Sequence, residues 1–322
     1  MKGFDPRWRD FPDYIIGITK EIWEERGLAT LNDYYGQDII MRYPSSIVTG
    51  NQSVIASTMA TLAEFPDRQL LGEDVIWSGD PEQGMLSSHR LLSTATHTGN
   101  GVYGEATGKQ ITFRTLADCF AINNRITDEW LIRDQGAIVR QMGWDPKDYA
   151  RDLIEREGGV QHCTQPLTPT NDSQGPYTGR GNDNEWGQKY ADILSRIMNG
   201  DMRVITEEYD RAVTGQYPGG ATRLSFFGVE EFWIPLRAAL PYAEFKIDHV
   251  IGRDDPMMSP RAAVRWSLHG KHDGWGEFGT PTGADIYVMG ISHAEFGPWG
   301  LRREYTLFDE TAIWKQIILK TG

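Results

Sequence analysis

The sequence predicts an α+β protein built from two tandem copies of one domain, and three observations carry that reading. Residues 66–141 recur without a gap 175 positions later. Pro66 matches Pro241, Asp80-Pro81 matches Asp255-Pro256, Arg90 matches Arg265, His97 matches His272 and Glu129 matches Glu304. About a quarter of the matched positions are identical, and the unit is far longer than a solenoid repeat, so it is a duplicated domain. Within each copy, helix-period segments come first and alternating strands follow, the order of an α+β domain with a curled antiparallel sheet. The 322 residues suffice for two such units, each able to enclose its own apolar core.

The first copy is expected over residues 1–144. Ile15, Ile18, Ile22 and Trp23 recur at helical spacing over 14–26, and Gly27 ends the run. A second helical stretch at 29–35 leads into a short extended segment at 39–43. A third helix over 54–63 follows the Gly50-Asn51-Gln52-Ser53 turn and stops at Phe65-Pro66, where proline has no N–H to continue it. Strands are expected over 69–77, 85–97, 109–122 and 125–132, the last two joined by a tight turn at Asn123-Asn124. The second copy, residues 185–322, repeats this with helices at 186–198, 204–209 and 229–239. Its strands are expected at 245–251, 262–272, 285–296 and 301–308. Between the copies, residues 145–184 open with a short helical stretch at 147–156. The rest is dense in Gly, Pro, Ser, Thr, Asn and Asp. It reads as a plain linker or as a segment draped over the surface, the plain linker being preferred. The prefix 1–13, with Phe4, Trp8 and Phe11, reads as an arm packing on the other copy or on a partner chain.

A net charge of −13 argues against binding a nucleic-acid backbone, which needs a basic patch. Two cysteines, Cys119 and Cys163, exclude a disulfide scaffold and a cysteine-based zinc site. The N-terminus has no apolar stretch of the secretory kind and no run approaches a membrane span. A cytoplasmic location is expected.

Strand parity assigns faces. With a two-residue turn at Asn123-Asn124, Ala117 lies opposite Trp130 and Asp118 opposite Glu129. One face then carries Phe113, Thr115, Ala117, Cys119, Trp130, Ile132 and Asp134, and the other Arg114, Leu116, Asp118, Glu129, Leu131 and Arg133. The first is the expected buried face. Asp309 has the same setting in the second copy, beside Tyr305 and Leu307. A carboxylate on an apolar wall has a raised pKa, which suits acid/base work; the alternative is that each aspartate caps the helix that follows it. The strand before His97 places His89, Leu91, Ser93 and Ala95 on the apolar face, and in the second copy Val264, Trp266, Leu268 and His272 share it. A histidine converging with an aspartate makes a proton-transfer pair, whereas one bonded to the glycine-rich loop is structural. Arg90 and Arg265 fall on the opposite face, where cross-strand pairs with Glu129 and Glu304 are expected. No metal-ligand spacing appears, and Gly99-Asn100-Gly101-x-x-Gly104 enters no helix that could bind a pyrophosphate.

Several of these pieces together resemble the SnoaL-like polyketide cyclases of the nuclear transport factor 2-like (NTF2-like) superfamily. They are Thr96-His97-Thr98-Gly99, Thr107-Gly108-Lys109, Asp128-Glu129-Trp130-x-x-x-Asp134 and Gln141-Met142-Gly143. Gly270-Lys271-His272-Asp273-Gly274, Pro281-Thr282-Gly283 and Arg303-Glu304-Tyr305-x-x-x-Asp309 stand in for them in the second copy. The resemblance implies cone-shaped domains, each a curved sheet wrapped around about three helices, with a pocket at the wide end. It also implies lyase, isomerase or cyclase chemistry on a small carbonyl compound, with no metal or organic cofactor. Asp134, His97, Asp309 and His272 would be the catalytic groups, and Trp130, Tyr305, Trp266 and His89 the substrate contacts. The two copies depart from each other at Asp118, which is His293 in the second, so one pocket alone is a possible outcome. The rival reading is a non-catalytic binding or scaffold protein with the copies packed as an internal pseudo-dimer. Expected partners are a small-molecule substrate or ligand and, at most, a second copy in a homodimer; neither nucleic acid nor membrane.

Overall fold

The computed structural model describes all residues, Met1–Gly322. The first copy begins with α1 (Phe11–Thr19), capped by the Asp10 side chain on the Asp13 N–H and continued by one wide turn over Lys20–Glu24. It goes on through α2 (Leu31–Tyr34), β1 (Tyr35–Tyr43), β2 (Ser46–Thr49) and α3 (Asn51–Glu64). Four long strands follow: β3 (Gln69–Asp80), β4 (Gly84–Thr96), β5 (Gln110–Ile122) and β6 (Arg125–Arg133). Helices α4 (Gln135–Met142) and α5 (Pro146–Arg156) close this half. The second copy repeats it as α6 (Glu185–Met198), α7 (Arg203–Glu208), β7 (Tyr209–Tyr217), β8 (Ala221–Leu224), α8 (Ser225–Ala239), β9 (Glu244–Arg253), β10 (Arg261–Lys271), β11 (Asp285–Gly297), β12 (Gly300–Leu307) and α9 (Glu310–Thr321).

Each half is one six-stranded sheet, ordered β2-β1-β6-β5-β4-β3 and β8-β7-β12-β11-β10-β9. Neighbours run antiparallel except β1 with β6 and β7 with β12, which are parallel. Each sheet curls around its own helices to make an NTF2-like cone, so the chain is a tandem pair of such domains. No helix is long and apolar enough to cross a membrane.

The cones pack back to back through the outer faces of their sheets. Leu116 and Ile132 of the first meet Met289, Ile291 and Leu307 of the second, with Leu167 from the connecting segment. Ile76, Leu86 and Phe120 meet Ile251 and Ala263. A pseudo-twofold relates the polar contacts: the Arg90 guanidinium lies 3.7 Å over the Tyr305 ring and Arg265 3.8 Å over Trp130. Asp118 accepts from Arg265 at 2.6 Å and from Ser88 at 2.6 Å, and Ser88 lies 2.8 Å from His293 Nε2. Arg90 pairs with Glu73 and Glu295 instead of the expected Glu129, and Arg265 with Asp118 instead of Glu304.

The connecting segment is draped over both sheets rather than free. Asp172 pairs with Arg42 at 2.6 Å, the Tyr177 N–H donates to Asp128, and the Tyr177 ring packs on Phe120 at 4.6 Å. The N-terminal prefix packs on its own domain, with Phe4 against Phe11 and Tyr14.

A β-bulge overturns half of the parity reading. The turn at Asn123-Asn124 forms as expected, with both residues in the left-handed region at φ 51° and 65°. The pairing then slips at Thr127: Ala121 faces Ile126, but Phe120 faces Asp128 and Cys119 faces Glu129. One extra residue moves every later side chain of the strand to the other face. Glu129, Leu131 and Arg133 therefore point into the cone, and Trp130, Ile132 and Asp134 point out of it. The second cone slips at the equivalent Arg302, so Ala294 faces Glu304.

Candidate functional site

The inner face of the first cone encloses a cavity of about 340 Å³. Its walls are apolar side chains of α1, α3 and the sheet, among them Ile15, Val54, Met41 and Leu91, and a few polar groups converge on it: Tyr35, Tyr43, Arg68, His89, Thr115, Glu129 and Arg133. Such a volume lies at the small end of ligand pockets, and apolar walls with few convergent polar groups are their usual make-up.

Glu129 is the centre of this set. Burial pushes its carboxyl up to about 8, against the lowering effect of hydrogen bonds from Tyr35 and Cys119. Its Oε2 is buried without any protein partner. Two strands across the sheet, on β4 opposite Ala117, His89 is pushed down to about 4 by burial, so its imidazole is neutral at physiological pH. His89 Nε2 and Thr115 Oγ1 also lack partners. Buried polar atoms are normally satisfied, so several orphans around one cavity mark a place where a ligand supplies the missing bonds.

The second cone keeps the glutamate and removes the cavity chemistry. Glu304 accepts from Tyr190 at 2.8 Å, Tyr209 at 2.9 Å, Tyr217 at 2.6 Å and the Trp233 indole at 3.3 Å. Trp233 stands where α3 has Thr58, and Trp266 where β4 has Leu91; both indoles are fully buried in the core cluster of this half. His89, Arg68, Thr115 and Arg133 are replaced by Val264, Ala243, Gly290 and Phe308.

The aspartates lie elsewhere. Asp134 caps α4 through the Ala137 N–H at 3.0 Å and accepts the N–H groups of Gly219 and Gly220, from the other domain, at 2.8 and 2.9 Å. It borders an interdomain cavity together with Arg114, Gln216 and Tyr305. Asp309 caps α9 through Thr311 and Ala312, and burial raises its carboxyl to about 6. His97 is wholly buried in a loop latch, with Nδ1 3.1 Å from Thr107 Oγ1 and Nε2 3.2 Å from Glu64. Glu64 also accepts the N–H groups of Val102 and Tyr103. His272 keeps the threonine, Thr282 at 3.0 Å, but faces Ala239 where the first copy has Glu64, and its Nε2 has no partner. None of these histidines bonds to Asp134 or Asp309. Trp130 and Tyr305 are stacked under arginines at the domain interface and Trp266 plugs the second core, so of the expected substrate contacts His89 alone lines the first cone. The residues that strand parity missed are Glu129, Arg68, Arg133, Tyr35 and Tyr43. The one signal that marks Glu129 in the sequence is its identity with Glu304.

Residues 14–142 match the model of the SnoaL-like polyketide cyclase family. No curated protein matches the chain. Among solved structures, the candidate polyketide cyclase IdmH from Streptomyces antibioticus is 21% identical and aligns over 41% of this chain and 98% of its own, with a TM-score of 0.36. A candidate polyketide cyclase from Acidithiobacillus ferrooxidans is 21% identical over 40% of this chain and 91% of its own, TM-score 0.35. A SnoaL-like polyketide cyclase from Agrobacterium tumefaciens is 16% identical over 41% and 97%, TM-score 0.33.

Proposed function

We propose that this chain, whose residues 14–142 belong to the SnoaL-like polyketide cyclase family, is a cofactor-independent acid/base enzyme with one working cone. Its substrate is a small carbonyl compound held in the cavity of the first domain, and Glu129 is the proton shuttle. The second domain is structural: it covers the outer face of the first sheet.

The observation that carries this reading is Glu129 itself, a fully buried carboxyl held up to about 8 with one oxygen free at the cavity wall. A general base works best when its pKa lies near the working pH. In its ionised form Glu129 takes a proton from the carbon beside the carbonyl. The C–H electron pair becomes the new C=C bond as the carbonyl π pair moves onto oxygen, giving an enolate. Neutral His89 and the Tyr43 phenol are the available hydrogen-bond donors to that oxygen, and preformed donors in a dry site stabilise developing charge strongly. Returning the proton to a different carbon isomerises the substrate. Attack of the enolate carbon on a second carbonyl of the same molecule closes a ring, and protonated Glu129 then gives its proton to the new alkoxide.

The test is solvent exchange. In D2O the protein is expected to catalyse deuterium incorporation into the methyl group of acetophenone, followed by NMR, with the rate rising with pH and levelling off above about 8. Glu129→Gln should lower that rate by about 10²–10⁴-fold, the range for a general base. Exchange that survives Glu129→Gln and disappears with Asp134→Asn would move the chemistry to the domain interface. No exchange by the wild-type chain would favour a binding protein.

A further inference from the structure

Two guanidinium groups in the first cone have no anion to balance them. Arg68 and Arg133 line the same cavity as Glu129, and the Nε of each is buried without a hydrogen-bond partner. The molecule pairs its other buried arginines: Arg42 with Asp128, Arg90 with Glu73 and Glu295, Arg261 with Asp74, and Arg265 with Asp118. Leaving a buried cation such as Arg68 unpaired is costly, and the half-buried Arg133 beside it adds a second like charge. The strain is visible at Arg68, which is 5% exposed and whose guanidinium is pushed down to about 9 by burial and by the charge of Arg133. The fold does not require either cation, because the second cone forms with Ala243 and Phe308 at these positions.

The two charges stand apart from the carboxyl. Arg133 lies four residues beyond Glu129 on β6, about 13 Å along the strand, and burial with hydrogen bonding alone accounts for the pKa of Glu129. Tyr43 lines the same cavity and follows Arg42, the partner of Trp130 in the parallel pairing of β1 with β6, so it stands level with the stretch of β6 between Glu129 and Arg133. The cavity is thus bipolar, with a proton-transfer end and a cationic end joined by apolar wall.

We infer that the substrate is itself an anion, a keto acid whose carboxylate is clamped by Arg68 and Arg133 while its enolisable carbon reaches Glu129. The planar guanidinium fork matches a carboxylate in two parallel hydrogen bonds. The orientation of the substrate rests on Glu129 being the acid/base group, whereas the anion site does not. A substrate bound this way is held at both ends, which positions the reacting carbon without any group from the second domain.

The experiment compares 4-acetylbenzoate with its neutral methyl ester, by calorimetric titration of the full chain at pH 7. The acid is expected to bind at least tenfold tighter than the ester. Arg68→Ala takes the residue of the second cone, and Arg133→Gln keeps most of the side-chain volume, so both are compatible with the fold, which thermal melting checks. Each should weaken the acid by about tenfold to a hundredfold, the worth of a charge-assisted pair, and change the ester by no more than about twofold. Glu129→Gln should bind the acid as the wild type does while losing deuterium exchange into its acetyl group. Preference for the acid without any exchange upholds the anion site and sinks the acid/base reading. The inference falls if the acid does not bind, if acid and ester bind alike, if neither arginine variant weakens the acid, or if 4-acetylphenyl phosphate binds tighter than the carboxylate.

Discussion

At the same register of the same strand, two residues beyond the same bulge, the first cone carries Glu129 and the second Glu304. The first carboxyl has a free oxygen on a cavity; the second is surrounded by three phenols and an indole that all donate to it. Burial raises both above the ordinary carboxylate range. The difference lies in what else is there. Thr58 and Leu91 leave room where Trp233 and Trp266 fill it, and His89, Arg68 and Arg133 offer polar atoms where Val264, Ala243 and Phe308 do not. An identity between two copies can therefore have two causes at once. The same glutamate faces a cavity with one oxygen unpartnered in one cone and is the hub of a closed polar network in the other.

The sharpest way to test that contrast is the pH dependence of stability. The folded state holds the Glu129 proton more tightly than the unfolded chain, whose carboxyl titrates near 4.5. Stability is thus full below about 4.5 and falls as pH rises through about 8. That interval corresponds to at most about 5 kcal/mol. Glu129→Gln cannot ionise and escapes the loss. In urea denaturation between pH 5 and 9 the variant should gain on the wild type steadily with pH, in step with its loss of exchange activity. Parallel curves for the two proteins would mean that Glu129 is not the buried titrating group.

The complementary substitution is Glu304→Ala. It leaves three tyrosine O–H groups and one indole N–H without their acceptor inside a packed core. An orphaned buried donor costs about 1–3 kcal/mol, and these share one site, so a loss of about 3–5 kcal/mol is expected. Glu129→Ala removes a group that already faces a cavity and should cost about 1 kcal/mol or less at neutral pH. Thermal and urea melts of the two variants measure the difference. Equal destabilisation would show that the second cone is no more sealed than the first.

The repeat, the order of helices and strands, and the Asn123-Asn124 turn are legible in the sequence because each leaves a local mark: identities at one offset, a hydrophobic period, residues that accept left-handed backbone. The contents of the pocket are not, and the reason is a single residue per cone. Thr127 and Arg302 occupy the bulges, and neither is a glycine or proline that would announce one. Period-two reading carried past them puts Asp134 inside and Glu129 outside, the reverse of the structure. His89 is placed correctly because it lies on β4, where no bulge separates it from the strand's alternation with β5. The draped connection is hidden for another reason. Its anchors are polar contacts to Arg42 and Asp128 from the far side of the sheet, and composition alone does not encode such partners.

The aspartates supply the smallest effects and the check on the whole comparison. Asp134 holds three backbone N–H groups, two of them across the domain interface. Asp134→Asn keeps one acceptor oxygen but loses the charge, for a cost of about 1–2 kcal/mol. Asp309 bonds only within its own helix start, and its carboxyl, held up to about 6, is already partly protonated in mildly acidic solution. A neutral asparagine imitates that state and is itself a good cap, so Asp309→Asn should cost less than about 1 kcal/mol near pH 6. Both variants should exchange deuterium into acetophenone at the wild-type rate. The ordering matters as much as the sizes: a greater loss at Asp309 than at Asp134 would mean that the bonds from Asp134 to Gly219 and Gly220 add nothing to the hold between the two cones.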